Sequence, residues 1–261
     1  MTPQQQLFYV LEVKTQGASA SIGLNGVPLL VDRDGAGLET ARAFNQWIKP
    51  GENVMHLFVN WPPDKNFEEG VASTEARLFT PPPGASGAPA PGVVLGQLAW
   101  PLPGAPERYP GRLETKFEVE EAPPVRLWSE AERVEEIERV DHRAMVDIVN
   151  EISERIKTGN PRGAYELLAY KFRDEELAEG KPPGTFQDVV VRQFGVVSQE
   201  SGLSYEPITV EQSHVRLLAD GHVALLERIP PSDAFVMTAG GGRFRFATYF
   251  AKIDGSWTLV R

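Results

Sequence analysis

The chain has 261 residues, 41% hydrophobic and 24% charged, with a formal net charge of −10. That composition suits one or two folded domains and excludes wholesale disorder. The acidity is even, −5 on residues 1–125 and −5 on the rest, so no basic face is expected for nucleic acid; the lack of cysteine removes disulfides, thiolate nucleophiles and cysteine-based zinc sites.

From the N-terminus, Met-Thr-Pro-Gln-Gln-Gln lacks the basic start and apolar run of a secretory signal. No stretch reaches the roughly 18 apolar residues of a membrane helix. A cytoplasmic protein off the membrane is expected, unless a signal peptide has been removed. Leu7, Tyr9, Leu11 and Val13 then alternate with more polar neighbours, a strand period. Asn25-Gly26, between Ser21–Leu24 and Val27–Leu30, supplies the two positive-φ residues of a tight hairpin. Pro50-Gly51-Glu52-Asn53 turns the chain into a strand at Val54–Trp61, and Thr74–Thr80 and Gly92–Trp100 are further strand candidates. Residues 81–110 hold nine prolines and five glycines, so they read as long loops around a short strand at Val93–Trp100. Leu113, Thr115, Phe117 and Val119 alternate with charged residues, as one buried sheet face requires.

The texture changes near Pro123-Pro124, which sets the expected division at 1–125 and 126–261. Ser129 with Glu132 has the spacing of a capping box, and Val134, Ile137, Val140, Ala144, Ile148, Ile152 and Ile156 follow helical steps. One long amphipathic helix ending at Gly159 is predicted. Asn160-Pro161 opens a second through Phe172, and Phe186–Val197 reads as a third. After Gly202, strands near Ile208–Ala219, His222–Ile229, Ala234–Thr238, Arg243–Ile253 and Ser256–Arg261 are joined by Asp220-Gly221, Gly240-Gly241-Gly242 and Asp254-Gly255. The expected fold class is an all-β sandwich followed by an α+β domain, helices packed on a curved antiparallel sheet.

The second half, with its long helix, Gly-Asn break, further helices and the ending Tyr249–Arg261 built on Asp254-Gly255 and Trp257-Thr258-Leu259, resembles the nuclear-transport-factor-2-like fold. Such a fold hosts enzymes, small-ligand binders and interaction modules alike, so the resemblance implies a cone between helices and sheet without implying its use. Leu24–Leu29 and Trp47–Asn53 resemble the galactose-binding-type β-sandwich, where a Pro-Gly-x-Asn turn precedes a core strand.

No catalytic set emerges. The histidines, His56, His142, His214 and His222, lack metal-ligand spacing, and no Gly-x-Ser-x-Gly elbow is present. Asp32-Arg33-Asp34-Gly35 has no spaced glutamate to complete a calcium loop and reads as a turn. Gly240-Gly241-Gly242 leads into a strand rather than a helix, which makes it a hairpin turn and not a phosphate cradle. No metal or cofactor is therefore expected. Register about the Asp220-Gly221 turn places His214 opposite Glu227, a polar pair for the cavity or a structural pair. Alternation sends Phe244, Phe246 and Phe250 inward and Arg243, Arg245 and Tyr249 outward, a surface rich in the residue types favoured at protein contacts. In the first half, Trp47, Phe58, Trp61, Phe67 and Trp100 include candidates for a sugar platform, with core packing as the alternative. The expected function is a non-catalytic binding or interaction protein, of a bacterial accessory or immunity type, taking a protein partner or a second copy. The other reading is a small-ligand binder, or an isomerase or hydrolase, using the cone.

Overall fold

The computed structural model describes residues 8–60, 72–82, 92–101, 109–240 and 242–261. The chain divides into two compact units, Met1–Pro124 and Val125–Arg261.

The first unit is built of strands β1 (Val10–Gln16), β2 (Ser19–Leu24), β3 (Val27–Asp32), β4 (Leu38–Ala43), β5 (Gly51–Asn60), β6 (Ser73–Thr80), β7 (Val93–Trp100) and β8 (Gly111–Val119). They form two antiparallel four-stranded sheets, ordered β4-β1-β6-β7 and β3-β2-β5-β8, a sandwich-like arrangement. Each sheet buries one face: Leu11, Val13, Ala76, Leu78 and Leu98 in the first, Ala20, Ile22, Leu24, Met55, Leu57 and Val59 in the second. In β8 the expected alternation holds, with charged Arg112, Glu114, Lys116 and Glu118 exposed. The hairpin at Asn25-Gly26 has φ of 52° and 79° and pairs Leu24 with Val27. Its side chain is also an organiser. Asn25 Nδ2 donates to the Trp47 carbonyl and to Asn53 Oδ1, both at 2.8 Å, while Asn25 Oδ1 accepts from the Val54 amide at 3.0 Å. Asn53 is fully buried, and its own Nδ2 donates to the carbonyls of Lys49 and Gly51. Every polar atom of that amide is thereby satisfied, which is what burial of an asparagine requires.

The second unit has helices α1 (Leu127–Glu130), α2 (Arg139–Lys157), α3 (Pro161–Leu167), α4 (Ala169–Ala178) and α5 (Gln187–Gln199). Its strands are β9 (Ser204–Tyr205), β10 (Ser213–Leu218), β11 (Val223–Arg228), β12 (Ser232–Asp233), β13 (Phe235–Ala239), β14 (Gly242–Phe246), β15 (Thr248–Ile253) and β16 (Ser256–Leu259). One antiparallel sheet runs β10-β11-β15-β16 with β12 beside β11; a second runs β14-β13-β9.

The long helix starts nine residues later than the Ser129/Glu132 spacing suggests, its cap at Glu138 and not Ser129. Glu132 instead donates its amide to the Lys252 carbonyl at 2.8 Å, and the Val134 amide donates to the Gly221 carbonyl at 2.9 Å. The segment is thus stitched to strands, and a backbone that bonds to a sheet cannot also bond to itself. The working start is Glu138, whose amide bonds Asp141 Oδ2 at 3.2 Å. The buried stripe is Met145, Val149, Ile152 and Ile156, and Val140 is 67% exposed. The next helix is capped as expected, Asn160 Oδ1 accepting from the Gly163 amide at 3.0 Å, but it breaks at Leu168 into α3 and α4.

Sheet registers about the turns agree with the sequence. Phe235 pairs with Phe246 and Met237 with Phe244, Phe250 with Leu259, and His214 with Glu227. Helices and strands share one core of Met145, Val149, Ile152, Ile156, Phe194, Phe235, Met237, Phe250 and Leu259, all almost wholly buried. Phe235 and Phe246 stack at 4.1 Å, and Phe244 meets Phe194 edge-on at 6.0 Å.

The single strand expected over Arg243–Ile253 is two. Ala247 interrupts it, and pairing switches from β13 for β14 to β11 and β16 for β15. The parity of alternation still carries across that break: Phe250, like Phe244 and Phe246, packs into the core, and Tyr249 faces the other way.

Candidate functional site

Arg243 and Arg245 are exposed on β14, while Phe244 and Phe246 on its other face pack into the core. Arg245 lies 3.7 Å from Asp233, a solvent-exposed pair worth little by itself. Tyr249 does not join them. It is 7% exposed, pairs with Leu225 in the other sheet, and exchanges backbone bonds with the last two residues, its carbonyl accepting from the Val260 amide at 2.8 Å. The physical reason is that its face of β15 is covered too, its cross-strand neighbour Leu225 being equally buried, so the expected three-residue patch reduces to two arginines.

His214 and Glu227 are cross-strand neighbours at 3.6 Å. Their neighbours Val215, Leu217, Ala224 and Leu226 point into the helix-covered core, so by strand alternation the pair faces the opposite side and does not line the cone. Glu227 is shared with Arg216, whose Nε donates to its Oε2 at 3.1 Å. The Glu227 carboxylate thus holds both a histidine and an arginine of the neighbouring strand β10.

A serine–histidine contact escaped the sequence reading because its members lie 71 residues apart. His142 Nε2 is 2.8 Å from Ser213 Oγ. Ser213 Oγ carries one proton and donates it to the Thr209 carbonyl at 2.7 Å. The imidazole must then donate to Oγ, since the hydroxyl has no second hydrogen. A nucleophile needs the reverse polarity, the base accepting from the hydroxyl. The contact therefore ties α2 to the first residue of β10.

Burial pushes the His142 imidazole below its ordinary value, with Glu211 opposing and His214 and Arg139 assisting. His56 in the first unit shifts the same way, again mainly by burial, with Glu114 opposing. In the unfolded chain both return to the ordinary value near 6.5. Their neutral forms thus contribute stability above that pH, and this stability is lost as pH falls from the ordinary value toward the folded one. Urea midpoints are expected to drop between pH 7.5 and 5.5, and His142→Gln, which keeps a donor for Ser213, should drop less. An equal drop in the variant would rule out His142 as a source.

A group of buried and half-buried charges around Asp174 has no local signature in the sequence either. Asp174, fully buried, accepts from the Arg126 amide and from Arg261 Nη2, each at 2.6 Å. Arg261 is itself only 4% exposed. Beside them, the Arg126 guanidinium lies 4.7 Å over the Tyr170 ring, and Tyr170 donates to Glu130 Oε2 at 3.0 Å. Burial first, then Asp174 and Glu130, hold the Tyr170 phenol well above its usual value. Burial pushes the Lys171 ammonium down, with Glu175, 3.4 Å away, opposing. Asp174 is committed to two donors and is not presented to a ligand.

In the first unit Trp47 and Trp100 are core residues, and Phe58 is 41% exposed; Trp61 and Phe67 lie outside the described residues. Asp32 is buried and receives Thr15 Oγ1 at 2.6 Å and the Gly37 amide at 3.1 Å, as a turn anchor should. Among the described residues, no group of three or more histidines and carboxylates could hold a metal ion, and no helix is long and apolar enough to cross a membrane. Comparison with protein-family models, with characterised proteins and with solved structures finds no match to this chain.

Proposed function

We propose that the chain is a non-catalytic protein-interaction protein whose second unit offers Arg243 and Arg245 to a protein partner. The observation that carries this reading is the split character of β14, with two exposed arginines held by two phenylalanines that pack against the core. Such arginines are presented on a rigid strand, so little order has to be imposed on binding. The apolar core that helices and strands share also favours an outer surface over a ligand-holding cone. We further read the second unit as nuclear-transport-factor-2-like, on its helix order and Asp254-Gly255 ending, and the first as a galactose-binding-type sandwich. An accessory or immunity-type role in a bacterial cell fits an acidic chain of this kind.

Arg243→Ala with Arg245→Ala is expected to change stability by no more than about 0.5 kcal/mol, as for surface sites. If the pair is central to the contact, binding should weaken by about 2 kcal/mol or more. The measurement is a melting curve beside a quantitative pull-down from the native cell, with the wild-type chain as reference bait. A folded double variant that retains every partner would overturn the proposal.

A further inference from the structure

We infer that β14 is a docking edge for an extended peptide segment in which acidic and apolar residues alternate. The inference rests on the proposed contact role of Arg243 and Arg245 and names the partner's chemistry and mode. Among the described residues, β14 pairs with β13 alone and ends its sheet. The outer side of a terminal strand carries backbone donors and acceptors to which an added strand can bond. Gly242, Arg243 and Arg245 are exposed, and Phe244 and Phe246, though packed on the core, are only partly covered.

These two faces prescribe the added strand. Side chains standing opposite Arg243 and Arg245 should be carboxylates, because opposite charges directly across a ladder attract and like charges repel. Side chains on the other face would extend the cover over Phe244 and Phe246 and should be apolar. The occupant is thus an alternating segment such as Glu-Val-Glu-Val, not a uniformly acidic tail. A second copy of this chain fits poorly. Any antiparallel register of β14 with itself that pairs at least three of its residues and keeps both sets of phenylalanines on one face sets at least one arginine opposite an arginine. The overall −10 charge does not forbid an acidic partner, since charges beyond a Debye length of about 8 Å are largely screened at physiological salt.

The test uses the full chain and a fluorescent peptide of about eight alternating glutamates and valines, a usual strand length. Anisotropy should show saturable binding that weakens with added salt. A peptide with lysine in place of glutamate should bind at least about tenfold more weakly, as two cross-strand pairs turn repulsive. Methylating alternate peptide amides on the bonding side should abolish binding, because it removes the ladder donors. Arg243→Glu with Arg245→Glu should reverse the preference toward the lysine peptide, with an unchanged circular dichroism spectrum showing that the fold is intact. Equal binding of glutamate and lysine peptides, undiminished binding of the methylated peptide, or a dimer of the chain that competes with the peptide would each overturn the inference. If the peptides fail while the double-alanine variant still loses its cellular partner, strand addition falls and the contact face stands. If that partner is also retained, both fall.

Discussion

Asp174→Ala should lower the unfolding free energy of the second unit by about 3–5 kcal/mol, the usual consequence of removing one partner from a buried ion pair. The substitution leaves the Arg261 guanidinium buried without its carboxylate and deprives the Arg126 amide of its acceptor. Against a typical total stability of about 5–15 kcal/mol, that is a large share. Asp174→Asn separates the two losses. It preserves an oxygen for the Arg126 amide but not the charge that meets Arg261, so an intermediate effect is expected. Combining Asp174→Ala with Arg261→Leu should recover part of the loss, because an apolar pair carries no desolvation penalty. Urea unfolding of the four proteins gives the comparison. If Asp174→Ala costs less than about 1 kcal/mol, no more than an ordinary hydrogen bond, the buried clasp is not the anchor described.

Gly221→Ala should be nearly as damaging, at about 3–5 kcal/mol, for two separate reasons. Its φ is +89°, a region that side chains rarely adopt, and a Cβ there would stand 2.2 Å from the Val134 carbonyl oxygen. That oxygen belongs to backbone and cannot swing aside. Relief would require the 131–135 segment to retreat and lose the Val134 amide bond to the Gly221 carbonyl. Gly255 provides the control. It also has positive φ, +74°, but nothing lies within 4 Å of a Cβ built there. Gly255→Ala should therefore show the conformational cost alone, about 1 kcal/mol. Similar melting temperatures for the two variants would mean that the close approach to Val134 contributes nothing.

These two sites also mark where sequence reading stops. Turns were legible because Asn25-Gly26 and Asp254-Gly255 carry their geometry in adjacent residues, and each turn then sets the register of everything paired outward from it. The strip Leu113–Val119 was legible because one wet face and one dry face leave a period of two. β4 left no such mark. It is largely exposed along its length, and its strand character comes from pairing with β1. Ser129 and Glu132 have the spacing of a helix start, but Glu132 has a sheet partner 120 residues later, and local spacing cannot report that. Tyr249 faces away from Phe250 as alternation requires, but local alternation cannot report that its own face is covered as well. Asp174 and Arg261 lie 87 residues apart, and His142 and Ser213 71, so neither contact has a local signature.

The five residues of β14 divide two tasks between alternate positions. Phe244 and Phe246 answer to the interior, where changes of size or polarity are felt throughout the fold. Arg243 and Arg245 answer only to what lies outside, where substitution is tolerated. Mutation can therefore rewrite the recognised chemistry without renegotiating the frame that displays it. Descendants of such a chain could exchange one partner for another at constant stability, so divergence should concentrate at the two arginine positions while the two phenylalanine positions stay aromatic.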